Sequence, residues 1–179
     1  AFGGMSGNLS GGVTVGNTLS CRRTDVDGML SVQNADITGD FRLSGGRVCG
    51  ELIMEGAKFG QNVMLEVDGM RTRVRGGVHM ISTHVNGWVV LGGAFLEKSI
   101  VLDNATIGGQ LSLIYDGDPA LGFLAVMTEV GGDVRAESAT IGKHAHFLGA
   151  RIVGSVRLAG AHVGGELALH STTVGKDIV

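Results

Sequence analysis

A single proline, Pro119, stands in 179 residues, aromatic side chains make up 4% and charged ones 17%. Collagen is excluded, because no Gly-X-Y period and no proline content support it. Only two cysteines occur, Cys21 and Cys49, too few for a disulfide framework and weakly in keeping with a reducing, cytoplasmic setting. No long apolar run exists: the longest, Trp88 to Leu96, is ended by Glu97 and Lys98. That is well short of the roughly 18 residues of a membrane span. No signal-peptide pattern is visible at Ala1. Net charge is only −3 and the isoelectric point is near 6.1, so the chain lacks the basic signature of nucleic-acid readout. What is abundant is glycine, 32 residues, alongside 44% hydrophobic residues, which together disfavour disorder.

The glycines belong to a repeat. Residues 139–149, 150–160, 161–171 and 172–179 align at a period of 11. The pattern is small, any, Ile/Val, any, Gly or polar, any, apolar, any, apolar, any, Gly/Asn/Ser. The same frame starts units at Val13, Thr24, Ala35, Gly46 and Ala57, then at Thr72, Thr83, Ala94 and Ala105, then at Thr128. Two insertions, 68–71 and 116–127, interrupt it. Residues 1–12 read as a degenerate N-terminal coil with Met5 and Leu9 in apolar slots, and 13–179 as one β-solenoid domain. Apolar residues at unit positions 1, 3, 7 and 9 alternate with polar ones, which is strand periodicity. Glycine at this density argues against helix. Glycine near position 5 and at position 11 is expected at corners, where a positive φ is easiest without a Cβ.

Alternate units differ. Ala35, Ala57, Ala105, Ala139 and Ala161 open odd units, whereas Thr24, Thr72, Thr128 and Thr172 open even ones. A coil of two units, 22 residues, explains this, because stacked positions share an environment. Ile141 is then expected between Ile107 and Val163. Both insertions should leave one edge, two coils apart, and seven coils should make a rod of roughly 33 Å.

Steps such as Ala35-Asp36-Ile37-Thr38-Gly39 and Ala139-Thr140-Ile141-Gly142-Lys143 resemble the Ala-(Asp/Asn)-Leu-X-X step of pentapeptide-repeat proteins. Each such step here alternates with a six-residue one, a departure from that family. The resemblance covers residues 13–179 and implies an all-β fold, a right-handed parallel β-helix with about 22 residues per coil and about seven coils. Hexapeptide acyltransferases fit poorly, since they have an unbroken six-residue period. Polysaccharide lyases have many long loops, and only two insertions occur here.

Chemistry-bearing residues are scattered. His144 and His146 both point outward, but a lone His-x-His lacks the further ligands zinc needs, so they read as surface histidines and no metal or other cofactor is expected. Cys21 reads as inward and Cys49 as outward or at a corner. Asp25 and Asp27 are explained by the repeat, while Asp116 and Asp118 lie in an insertion and are free to bind. With Arg71 and Arg73 at the other insertion, they form the candidate binding edge. Asp36 beside Lys58 and Glu129 beside Arg151 are expected as neighbouring opposite charges, worth roughly 0.2–1 kcal/mol each. Arg135 and Arg157 should stack as like charges. Outward apolar residues Met64, Trp88, Val90, Phe95 and Val101 form a candidate interaction patch.

The function expected is a non-catalytic scaffold or protein-interaction solenoid that binds a protein partner or itself. The repeat stays in frame to Val179, so either end-to-end self-association or further sequence is expected. One alternative is a DNA-mimicking gyrase-binding protein, which some pentapeptide-repeat proteins resemble. The other is a carbohydrate-active β-helix with its site at the two insertions, to be supported by stacked Asp, Arg and aromatic residues on one face. An ice-binding face is disfavoured, because Thr14, Thr106, Thr140 and Thr173 form no unbroken ladder.

Overall fold

The computed structural model describes residues 7–8, 12–65, 71–114 and 127–179. Among them only strands, bridges, turns and bends occur. Each unit supplies two strands of two residues, such as Asp36–Ile37 and Phe41–Arg42. In each strand one side chain faces in and one faces out, as a two-residue period dictates. Every strand pairs in parallel with its counterpart one coil away, so four parallel sheets of seven strands stack along the chain.

We number these sheets as faces one to four, in chain order around the coil. Face one runs from Thr14–Val15 to His162–Val163 and face two from Leu19–Ser20 to Leu167–Ala168. Face three runs from Asp25–Val26 to Thr173–Val174, and face four from Gly7–Asn8 to Val156–Arg157. Ile141 is partnered by Ile107 on one side and Val163 on the other, which establishes the two-unit coil. Lys58 pairs with His84 and Thr106 with Thr140 despite the insertions between them, so the register is unchanged across both. At the N-terminal end Gly7 pairs with Leu30, while Met5 and Leu9 lie outside the described residues.

The core is a single column of side chains from unit positions 1, 3, 7 and 9. Ala35, Ile37, Phe41 and Leu43 are at most 2% exposed, and the same slots are filled in each central coil. Phe41 and Phe59 meet edge to face at 6.0 Å, one coil apart.

Hydrogen bonding between coils alternates along each strand, as in any parallel ladder. On faces one and three the N–H groups of unit positions 2 and 4 donate to the preceding coil, as in Lys58 N to Ala35 O and Phe95 N to Thr72 O. On faces two and four those of positions 7 and 9 donate to the following coil, as in Phe41 N to Asn62 O and Leu52 N to Gly77 O.

The two corners of a unit are built differently. At position 11, Asn34, Gly45, Gly56, Ser82, Gly93, Asn104 and Ser138 have φ between 54° and 68°, the left-handed conformation expected there. The N–H of the following residue closes most of these turns, as in Ala57 N to Met54 O at 3.1 Å. The corner near position 5 departs from expectation: among the described residues none of its glycines has a positive φ. Here the reason for glycine is contact between coils, since a Cβ on Gly108 would lie 2.5 Å from Asn86 O.

The insertions have their own closure. After an uninterrupted corner, the position-11 N–H donates to the position-10 carbonyl of the next coil, as in Asn34 N to Glu55 O. Beneath each insertion a buried threonine hydroxyl takes over. Gly45 N donates to Thr72 Oγ1 at 3.0 Å, and that hydroxyl donates to Leu65 O at 2.7 Å. Gly93 N donates to Thr128 Oγ1 at 2.9 Å, and that hydroxyl to Leu113 O at 2.5 Å. Leu65 and Leu113 stand in one inward column, linked through Leu91, so both insertions leave the edge between faces two and three, two coils apart.

Candidate functional site

At position 6 of the unit, a polar side chain commonly accepts the backbone N–H of position 6 in the next coil. Asp40 Oδ1 accepts Asn62 N at 2.9 Å, and Asn62 Oδ1 accepts Trp88 N at 2.9 Å. Ser99 Oγ accepts Asp133 N at 3.0 Å, and Asp133 Oδ1 accepts Ser155 N at 2.8 Å. Glu51 accepts Gly77 N through a short bond. Each link satisfies a corner N–H that the strand ladders do not reach. These side chains therefore hold the stack of coils together as well as facing outward.

Two members of this ladder are acidic and perturbed. Burial pushes the Asp40 carboxyl up, but the Asn62 backbone N–H, Arg42 and the Asn62 amide together hold it below the ordinary aspartate value. Arg42 Nη2 lies 2.6 Å from Asp40 Oδ2. Glu51 is likewise held low: burial raises it, and the Gly77 N–H, Lys98 and His79 outweigh that.

The insertion edge is where the sequence placed a binding site. Arg71 Nη2 donates to Met127 O at 2.9 Å and to Glu129 Oε1 at 2.7 Å, tying the close of one insertion to the close of the other. The guanidinium carbons of Arg71 and Arg73 each lie 5.2 Å from the Phe95 ring centroid, within cation–π range. Phe95, Glu97, Glu129, Gly131, Arg151 and Val153 border a shallow hollow of about 230 Å³. Gly131 lines its floor, and Val153, 50% exposed, forms one wall. Asp116 and Asp118 lie outside the described residues.

Comparison with protein-family models, curated proteins and solved structures gave no match.

The apolar patch read from the sequence does not form one surface. Met64 and Val90 are partners on face two, with Trp88, 48% exposed, at its edge. Phe95 belongs to face three. Val101 belongs to face four, opposite face two, and is only 8% exposed between His79 and Arg135. Position 8 points outward as expected, but its neighbours' longer side chains cover the small valine.

The expected charge neighbours are backbone partners: Asp36 with Lys58, Glu129 with Arg151, and Arg135 with Arg157. Two of these side chains take other partners: Glu129 takes Arg71, and Arg135 forms a short ion pair with Asp103. Asp25 pairs with Arg47 at 3.3 Å. Cys21 and Cys49 are both free thiols, and burial pushes the Cys21 thiol up, away from reactivity.

One grouping was missed. His144 and His146 have Glu166 beside them from the next coil, and the three offer ligand atoms all within 4.8 Å of one another. The coil length was the available signal, since Glu166 stands one 22-residue step beyond His144.

Proposed function

We propose that this solenoid is a rigid protein-interaction scaffold, and that partners engage the edge between faces two and three. The observation that carries the reading is the outward column Arg47, Arg73, Phe95, Glu129 and Arg151 on face three. It joins a largely apolar hollow to the guanidinium groups of Arg73 and Arg151, at the edge where both insertions emerge. Rigidity supports the role: each coil is held by ladders, corner bonds and a shared core, so the column's spacing is fixed. The architecture is of the kind seen in pentapeptide-repeat β-helices, to which the sequence steps are similar.

A photo-crosslinking residue placed at Phe95, with a control at Thr106 on face one, tests the reading in cells of the source organism. Discrete crosslinked species are expected from position 95 and not from position 106. Equal crosslinking from both faces, or none from position 95, overturns it.

The carbohydrate reading keeps one specific support, the same stacked column of Asp25, arginines and Phe95 on one face. Two guanidinium groups already lie against the Phe95 ring, which leaves less of it for a sugar to stack on. Titration with oligosaccharides while following the intrinsic fluorescence and the Phe95 ring resonances separates the two readings.

A further inference from the structure

We propose that His144, His146 and Glu166 form a binding site for a borderline divalent transition-metal ion such as Zn²⁺ or Ni²⁺, stapling the sixth and seventh coils together. His144 precedes and His146 ends one strand of face two, Ala145–His146, and Glu166 precedes the strand stacked on it, Leu167–Ala168. The three ligand atoms lie within 4.8 Å of one another. Drawing them around one ion, at about 2.0–2.2 Å each, requires side-chain rotation and no movement of the ladder. The two imidazole rings already lie near-parallel, with centroids 5.2 Å apart and planes at 25°. Gly165 supplies the room: a Cβ there would come within 2.8 Å of His144 Nδ1 and 2.9 Å of Cε1. Two imidazoles and one carboxylate select a borderline metal over Ca²⁺ or Mg²⁺, and water completes the shell.

The proton inventory gives the site a signature. His144 Nδ1 accepts the Glu166 backbone N–H at 3.0 Å, so Nδ1 holds the neutral ring's lone pair and Nε2 its proton. A neutral ring has one lone pair. The ion therefore displaces the N–H from Nδ1, or binds Nε2 after the proton moves to Nδ1, where it can no longer accept. In either case the Glu166 amide is released.

The test is calorimetric titration of Ni²⁺ and Zn²⁺ into the untagged, metal-free full chain, with the melting temperature and the Glu166 amide resonance followed in parallel. One ion per chain, a rise in melting temperature and a shifted Glu166 amide are expected. His146→Ala and Glu166→Gln should each weaken binding at least tenfold. His144→Asn should weaken it as much while leaving the metal-free melting temperature near wild type, because asparagine keeps an acceptor for the Glu166 N–H, as Asn62 does for Trp88. Absence of binding at millimolar metal overturns the proposal. So does binding that survives all three substitutions, or displacement of the ion by equimolar Ca²⁺.

Discussion

Coils that carry an insertion and coils that do not close the same corner by different chemistry. In an uninterrupted coil the position-11 N–H finds a backbone carbonyl, and small Ala57, Ala105 or Ala139 is sufficient at the next unit's start. In the two interrupted coils that carbonyl is not the acceptor, and the hydroxyl of Thr72 or Thr128 replaces it while also bonding the last carbonyl before the insertion. A solenoid can thus accept extra residues anywhere a buried hydroxyl can stand in for the lost peptide group. The length of the insertion matters little to the closure: the same clip closes 68–71 and 116–127.

The most severe way to break this contrast is to remove the hydroxyls. Thr72→Val and Thr128→Val keep the shape but leave a glycine N–H and a leucine carbonyl without partners. Each should cost about 1–3 kcal/mol in denaturant unfolding, with Thr128 the more damaging because its donor Gly93 is buried whereas Gly45 is only partly so. Equal stability of wild type and both variants would show that the clips are dispensable.

A second contrast is with the corner ladder, which titrates where the clips do not. The Asp40 and Glu51 carboxyls are held below their ordinary values in the fold. Their contribution is therefore complete above the unfolded-state values, about 4, and is lost as pH falls through the lower folded-state values. Melting temperature should drop on acidification below about pH 4. Asp40→Asn, which retains an acceptor for Asn62 N, should lessen that drop. An unchanged acid profile in the variant would remove Asp40 from the account.

The smallest effect sharpens the comparison. Thr83 opens an uninterrupted unit, and its hydroxyl only donates to Met54 O at 2.7 Å, a carbonyl that also accepts Ala57 N. Thr83→Val should cost only about 0.5–1.5 kcal/mol, the ordinary net worth of one hydrogen bond. A loss as large as that of Thr128→Val would mean that threonine serves this slot generally and not as a clip.

The eleven-residue period, the pairing of units and the left-handed position 11 were all legible, because each repeats and repetition averages away local exceptions. Ile141 between Ile107 and Val163 followed from alternation alone. The corner near position 5 was misread, since glycine is compatible with positive φ and with close approach alike, and only the stacking distance to Asn86 O separates them. Thr72 and Thr128 looked like members of the same column as Thr24, because their roles depend on where the chain departs from the frame. Arg71 falls outside the frame altogether, so its contact with Phe95 and Glu129 had no column to predict it. Val101 failed for another reason: outward direction follows from parity, but exposure depends on the bulk of the neighbours. Glu166 beside His144 was within reach of the 22-residue step and was passed over because the histidines were weighed within a single unit.

The alternation of the hydrogen bonds along each strand also fixes the electrostatics of the rod. Successive strand N–H groups aim at opposite neighbouring coils, and the bias of positions 2 and 4 toward the preceding coil on faces one and three is offset by that of positions 7 and 9 toward the following coil on faces two and four. The strand dipoles therefore sum to nearly nothing along the axis. An α-helix of the same length carries about half an elementary charge at each tip; this rod carries none from its backbone. Its long-range field is written by side chains alone, so the charges along face three are read by an approaching molecule without an axial background, and the pattern of arginine and glutamate alone sets the orientation of approach.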